Sequence, residues 1–173
     1  READWINCVT EALSKKMRFR FGERKSALSV VPSGISKTAL LDSSLVSLDR
    51  HDELTFVYAG SMAPWQQWER MVYFAKLAVA SIHPVRFTFV TQDVRRAREL
   101  ARNVGLESSR VNFCSASSSR GVATYLRSSS VGLLFRANDD VNQVSAPVKL
   151  AEYLAAGLPI VASDFFFENF SGL

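Results

Sequence analysis

The sequence predicts an α/β domain: a parallel sheet with helices on both faces. Two observations carry this. Short apolar runs rich in aromatic and β-branched residues begin near positions 55, 86, 110, 131 and 158, at spacings of 31, 24, 21 and 27 residues. Between them lie segments whose apolar residues keep the helical period. Strands buried on both faces read as unbroken apolar runs, and strand–helix repeats of this length suit parallel βαβ units.

Each element has its own justification. Thr55-Phe-Val-Tyr-Ala59 is a first strand ending in Gly60-Ser61. A helix follows, with Trp68, Met71, Val72, Ala75, Ala78 and Val79 on one side, Pro64 in its first turn and His83-Pro84 beyond its end. Arg86–Thr91 is the second strand. Asp93 is the expected N-cap of a helix carrying Val94, Ala97, Ala101 and Val104, which Gly105 stops. Arg110–Cys114 is the third strand, followed by a serine-rich loop and a short helix near Val122–Arg127. Val131–Phe135 is the fourth. Ser145 to Ala156 reads as a helix with Ser145 as N-cap, Pro147 in the first turn and Gly157 as the stop; Leu158–Ala162 is the fifth strand. The first 50 residues fall outside this rhythm. Trp5–Met17 reads as helix, Ser29–Pro32 as a short strand turning at Pro32-Ser33-Gly34, and residues 36–52 as polar and irregular.

Composition narrows the function classes. At 173 residues, 47% hydrophobic and 22% charged, the chain has the balance of a globular domain rather than a disordered or fibrous one. No apolar run reaches the roughly 18 residues of a membrane span. Cys8 and Cys114 have no C-x-x-C partner, so neither a zinc site nor a disulfide framework is expected, which fits a reducing cytoplasm. Residues 1–50 hold nine Lys or Arg against six Asp or Glu, the rest twelve against eleven. The excess gathers at Lys15, Lys16, Arg18, Arg20, Arg24 and Lys25, interleaved with Met17, Phe19 and Phe21. That pattern is either a solvated helix end or a peripheral contact, through residues 15–25, with an anionic membrane face. No nucleic-acid-binding motif accompanies it.

In an open parallel sheet, ligands bind at the carboxyl ends of the strands. The loop after the first strand starts Gly60-Ser61 but continues into neither a dinucleotide fingerprint nor a Walker loop. The strongest constellation is Ser145-Ala-Pro147-Val-Lys149-Leu-Ala-Glu152-Tyr153. Lys149 falls in a first helical turn, where free N–H groups and the helix dipole attract anions, and Glu152 lies one turn later on the same side. An anion site beside an acceptor of hydroxyls suits a nucleotide diphosphate with its ribose; the alternative is a surface Lys–Glu pair. His51 and His83 show no spacing for a metal or a triad, and no acidic cluster has metal-ligand spacing.

The segment Ser145-x-Pro147-x-Lys149-x-x-Glu152-Tyr153-Leu-Ala-Ala-Gly157-Leu-Pro159-Ile-Val161 resembles the donor-site motif of the GT-B glycosyltransferases, specifically glycosyltransferase family 4 (group 1). Val9–Leu13, Val30-Val31-Pro32-x-Gly34, Phe56–Ser61 and Tyr125–Leu133 agree with it in order. The resemblance implies a Rossmann-like, carboxy-terminal nucleotide-sugar domain over 53–173, cut short at its end, with 1–52 as the end of the acceptor-side domain plus linker. It implies retaining transfer of a sugar from a nucleotide diphosphate to a hydroxyl acceptor, without a bound metal or cofactor. Glu152 would then accept from the ribose, Ser145 and the helix-start N–H groups would hold the diphosphate with Lys149, Gly60-Ser61 would face it, and the Cys114–Ser117 loop would border the base.

Two departures stand out. The family usually has two glutamates separated by seven residues, the first beside the transferred sugar; the position eight before Glu152 is Val144 here, with Asp139 or Asp140 as candidate replacements if the loop is displaced. The Arg and Lys that commonly meet the diphosphate after the first strand are replaced by Met62-Ala-Pro-Trp65-Gln66-Gln67. No catalytic residue is therefore assigned. A non-catalytic nucleotide-binding or protein-interaction domain of the same fold remains an alternative, as does an epimerase with the same ligand. The chain is expected to be a piece of a longer enzyme that by itself binds rather than catalyses.

Overall fold

The computed structural model describes residues 3–22, 27–35, 53–106 and 109–164. Arg24, Lys25, His51 and residues 36–52 and 165–173, on which some expectations fall, lie outside them. The described residues form two parallel sheets. The first pairs β1 (Trp5–Cys8) with β2 (Ala27–Val30), joined through α1 (Glu11–Phe21). The second has five strands: β3 (Leu54–Ala59), β4 (Val85–Val90), β5 (Val111–Cys114), β6 (Val131–Leu134) and β7 (Ile160–Ala162), in the order β5-β4-β3-β6-β7. Its connections are a 3₁₀ turn (Pro64–Gln66) with α2 (Trp68–Ser81), then α3 (Val94–Asn103), α4 (Ser119–Arg127), and a 3₁₀ turn (Asn142–Val144) with α5 (Val148–Ala155).

Trp5–Cys8 is a correction to the expected opening helix. A helical-looking Trp-Ile-Asn-Cys run becomes a strand because it finds a parallel partner more than 20 residues away, pairing Trp5 with Ala27 through Cys8 with Val30. The helix starts only after Thr10, whose Oγ1 accepts from Leu13 N at 3.0 Å, an N-cap bond.

The central strands β3 and β6 are buried as their apolar runs require, while β5 and β7 at the sheet edges are more open. Phe56 and Tyr58 of β3 face a core with Met71, Val72 and Ala75 of α2 and Ala97 and Ala101 of α3. Their alternates Val57 and Ala59 face a second core with Leu126 of α4 and Tyr153 of α5. The period of two thus serves both layers. On the first face, aromatics stack across strands: Phe56 on Phe87 (centroids 4.9 Å apart) and Phe89 on Phe113 (5.2 Å).

Strand order reverses between β3 and β6, which is where a crevice opens in such sheets. β3 and β4 pair over six residues, but β3 and β6 only through Phe56–Val131 and Val57–Gly132. Further along, the buried Tyr153 hydroxyl takes the place of the ladder, accepting from Ala59 N and donating to Leu133 O, both at 3.2 Å. Gly132 makes room for that ring: a Cβ there would lie 2.6 Å from Tyr153 Cδ2.

The segment before α5 also differs from expectation. Ser145 Oγ donates to Asn142 O at 3.2 Å, closing the 3₁₀ turn, and Pro147 occupies the N-cap of α5. Proline confines the residue before it to extended backbone, so the helix cannot begin at Ser145. Pro64 likewise opens the separate 3₁₀ turn rather than α2.

Candidate functional site

At the carboxyl ends of β3 and β6 lies a cleft of about 470 Å³, a size typical of small-ligand sites. Its walls include Gly60, Ser61, Gln66, Arg136, Lys149 and Glu152. Four of the five residues singled out from the sequence therefore meet there. The fifth, Ser145, is engaged with Asn142 and is not among the lining residues. Val122 of α4 also borders the cleft, whereas none of Cys114–Ser117 is among its lining residues; Ala116 O accepts from Gln92 Nε2 at 2.6 Å.

The floor is built by the turn after β3. Gly60 N donates to Val90 O at 2.9 Å, and Ser61 O accepts from both Tyr58 OH (2.7 Å) and Trp68 Nε1 (3.0 Å). Three bonds thus hold two residues in place. Burial raises the Tyr58 phenol well above its ordinary range, so it stays a neutral donor.

Lys149 crosses this floor. Its Nζ lies over the Tyr58 ring, 5.1 Å from the centroid, an arrangement that ring quadrupoles favour. Among the described residues it has neither a hydrogen bond nor an ion pair, and it does not pair with Glu152 although the two are three apart on α5. The surface-pair alternative is therefore not what forms. Burial first, and the nearby Arg136 second, lower Lys149 to about 8, opposed by Glu152. Burial likewise raises Glu152, with Lys149 opposing. Both groups lack the solvation or partner that would hold them charged, the condition of a site awaiting a ligand.

Two residues that sequence reasoning missed belong to the same walls. Arg136 follows β6 and is buried, its Nε donating to Asn142 Oδ1 at 2.5 Å. Nothing in Phe135-Arg136-Ala137 flags it, because an arginine just past a strand is ordinarily a solvated loop residue. Gln66 is 4% exposed, yet its Oε1 has no partner. Its place in the loop that lacks the family's usual cations was the only available signal.

Val144 sits in the 3₁₀ turn, where its carbonyl accepts from Thr10 Oγ1 at 2.7 Å. Thr10 thereby caps α1 and ties it to the turn before α5. Asp140 pairs with Lys16 on the surface (3.3 Å), and Asp139 accepts from the N–H groups of Val141 (3.1 Å) and Asn142 (2.8 Å). Neither aspartate lines the cleft, so neither takes the place of the missing glutamate in this structure. Among the described residues no group of three His, Cys, Asp or Glu is placed to hold a metal, and no helix is long and apolar enough to cross a membrane. A second cleft of about 370 Å³ lies between α3 and the start of α2, bordered by Met62–Pro64 of the loop after β3.

Solved structures share this fold. Anabaena HepE in complex with UDP and glucose is 17% identical with a TM-score of 0.65, over 94% of this chain and 45% of that one. Sucrose-phosphate synthase from Thermosynechococcus elongatus is 18% identical with a TM-score of 0.66, over 99% and 43%. The pneumococcal O-GlcNAc transferase GtfA in complex with UDP and GlcNAc is 14% identical with a TM-score of 0.62, over 94% and 30%. The chain thus spans less than half the length of these proteins. A search of curated protein sequences finds no match. The family model described as "Glycosyl transferases group 1" matches residues 53–169, which is most of the chain. A Rossmann-like parallel sheet, its strand-end cleft and this match agree: the chain belongs to the group 1 glycosyltransferases.

Proposed function

We propose that this chain is the donor-binding part of a retaining glycosyltransferase that uses a nucleoside diphosphate sugar. Residues 53–173 would form the donor domain, and 1–52 the end of the acceptor-side domain plus linker. The observation that supports this most directly is the presence, on one helix, of a lysine and a glutamate that line one cleft without a partner among the described residues. HepE and GtfA hold UDP with a sugar in their structures, which supports the same ligand class here.

In this reading the first N–H groups of α5 and Lys149 hold the diphosphate, Gly60 and Ser61 let it approach the backbone, and Glu152 accepts from the ribose hydroxyls. Ser145 contributes by setting the turn that aims α5. During transfer the bond from the sugar's anomeric carbon to the diphosphate oxygen breaks, and its electron pair stays on that oxygen. The acceptor hydroxyl oxygen bonds to the same carbon and passes its proton to an oxygen of the departing diphosphate. The cation and N–H dipoles stabilise the charge gathering on the departing diphosphate. The acceptor is a hydroxyl of a glycan, lipid or small molecule, presented by the rest of the enzyme.

The test is calorimetric titration of the full-length protein with UDP, GDP and ADP and their glucose conjugates. Binding of one series supports the reading, and absence of binding by all of them removes it. NMR of the product's anomeric configuration then checks retention. Val144, an apolar residue tied through its carbonyl to Thr10, favours a second reading in which the domain binds the nucleotide without transfer. Binding without sugar release in the full-length protein would select it. We also propose that α1 makes a peripheral contact with an anionic membrane face, since Phe19 is 94% exposed between Arg18 and Arg20. Salt-sensitive co-sedimentation with phosphatidylserine vesicles, lost in Phe19→Ser, is the expected result.

A further inference from the structure

Arg136 is held through both its backbone and its side chain. Its backbone is clamped to the end of β7: its N donates to Ser163 Oγ at 2.9 Å, and Ser163 Oγ donates to its O at 3.0 Å. Its side chain is held by one edge only, through Nε to Asn142 Oδ1. Asn142, 1% exposed, cannot turn its amide around. Its Nδ2 donates to Ala137 O (2.8 Å) and Asp139 Oδ2 (3.2 Å), with Trp65 O at 3.4 Å, so the oxygen must face the arginine.

That leaves the outer fork of the guanidinium, Nη1 and Nη2, with no acceptor among the described residues, on a side chain only 7% exposed. A structural arginine buried this deeply normally meets a carboxylate, because desolvating its charge is costly. Here the nearest opposite charge, Asp139, is engaged by Val141 N, Asn142 N and Asn142 Nδ2. The fork shares the cleft with Lys149, which also lacks an acceptor. Two cations thus line one cleft, Arg136 just past the end of β6 and Lys149 in the first turn of α5. A planar fork suits phosphate oxygens in pairs, and a lysine acts as a point charge.

We propose that Arg136, positioned by Asn142, is the second cation for the diphosphate, and that the Arg136–Lys149 pair makes the cleft select nucleoside diphosphates over monophosphates. This rests on the donor-site reading above and names the residue that supplies its charge from the β6 side. It accounts for the loop after β3 carrying the neutral Gln66 in place of a cation.

The experiment titrates the full-length protein, and its Arg136→Gln, Arg136→Lys and Asn142→Ala variants, with UDP, GDP and ADP and with the matching monophosphates. Melting curves are recorded alongside. The wild type is expected to bind its preferred diphosphate at least tenfold more tightly than the monophosphate. Arg136→Gln should weaken diphosphate binding about 10- to 100-fold and monophosphate binding less than threefold, collapsing the ratio. Arg136→Lys, which keeps the charge without the fork, should retain an intermediate ratio and serves if the glutamine variant does not fold. Asn142→Ala should lower the ratio less than Arg136→Gln. A folded Arg136→Gln protein with an unchanged ratio, or an Arg136→Lys protein indistinguishable from wild type where the glutamine variant cannot be made, overturns the inference and leaves the donor site standing. Failure of the wild type to bind any nucleotide overturns the donor site itself.

Discussion

Gly60 and Lys149 fit together by contact: a Cβ on Gly60 would fall 2.2 Å from both Cε and Nζ of the lysine. The backbone there also has φ of 153°, a conformation side chains rarely adopt. The glycine is therefore the seat of the lysine as well as a turn residue.

Gly60→Ala should push Lys149 off the Tyr58 ring and narrow the cleft. The expected outcome is at least a tenfold loss of nucleotide affinity, about 1.4 kcal/mol or more, by calorimetry. The far-UV circular dichroism of the sheet should be kept, because the turn's other bonds come from Tyr58, Trp68 and Val90.

Glu152→Ala should weaken nucleotide binding by roughly 1–3 kcal/mol, the usual effect of losing a charged hydrogen-bond partner. The carboxylate has no protein partner among the described residues, so the melting temperature should change little. Unchanged affinity in calorimetry would count against the ribose role.

Nucleotide affinity should depend on pH through Lys149. At about 8, the free protein holds this proton only half the time near pH 8, and an arriving diphosphate favours the charged form. Binding then takes up protons: affinity is flat at lower pH and falls as pH rises through about 8. Titration at pH 8 in two buffers of different ionisation enthalpy should show uptake of about half a proton. The unliganded protein has the opposite sign. Because the unfolded chain holds this lysine's proton more tightly, the lysine's contribution to stability improves as pH rises from about 8 to 10.5. Lys149→Met should remove both effects.

Tyr153→Phe keeps the ring but removes the hydroxyl that joins Ala59 N to Leu133 O. Leaving these buried groups unpaired should cost about 1–3 kcal/mol in urea unfolding. A change within a few tenths of a kcal/mol would show that the strands re-pair directly.

The parallel sheet was readable because β3 and β6 are buried on both sides and carry near-continuous apolar runs, as in Thr55–Ala59, while β4 alternates, with Phe87 and Phe89 buried and Arg86 exposed. Lys149 and Glu152 were readable because a helix start and a spacing of three are local facts. The Trp5–Cys8 strand was not, since its partner at Ala27–Val30 is distant in the chain and nothing local distinguishes it from a helical turn. The start of α5 was misplaced for a similar reason: Ser145 has the chemistry of an N-cap, but its hydroxyl bonds to Asn142 O and Pro147 takes the cap.

By itself, the sequence determined the α/β class, the repeat of strands and helices, and a lysine and a glutamate one turn apart where anions gather. These rest on periodicity and local spacing, which survive without coordinates. Only the tertiary structure decided that Lys149 pairs with a ring and a glycine instead of with Glu152, and that Arg136 reaches the same cleft with its fork unengaged. The reason is physical. Whether a charge is solvated, paired or left open depends on which distant segments exclude water around it, and here those segments are the ends of β3 and β6 and the start of α5.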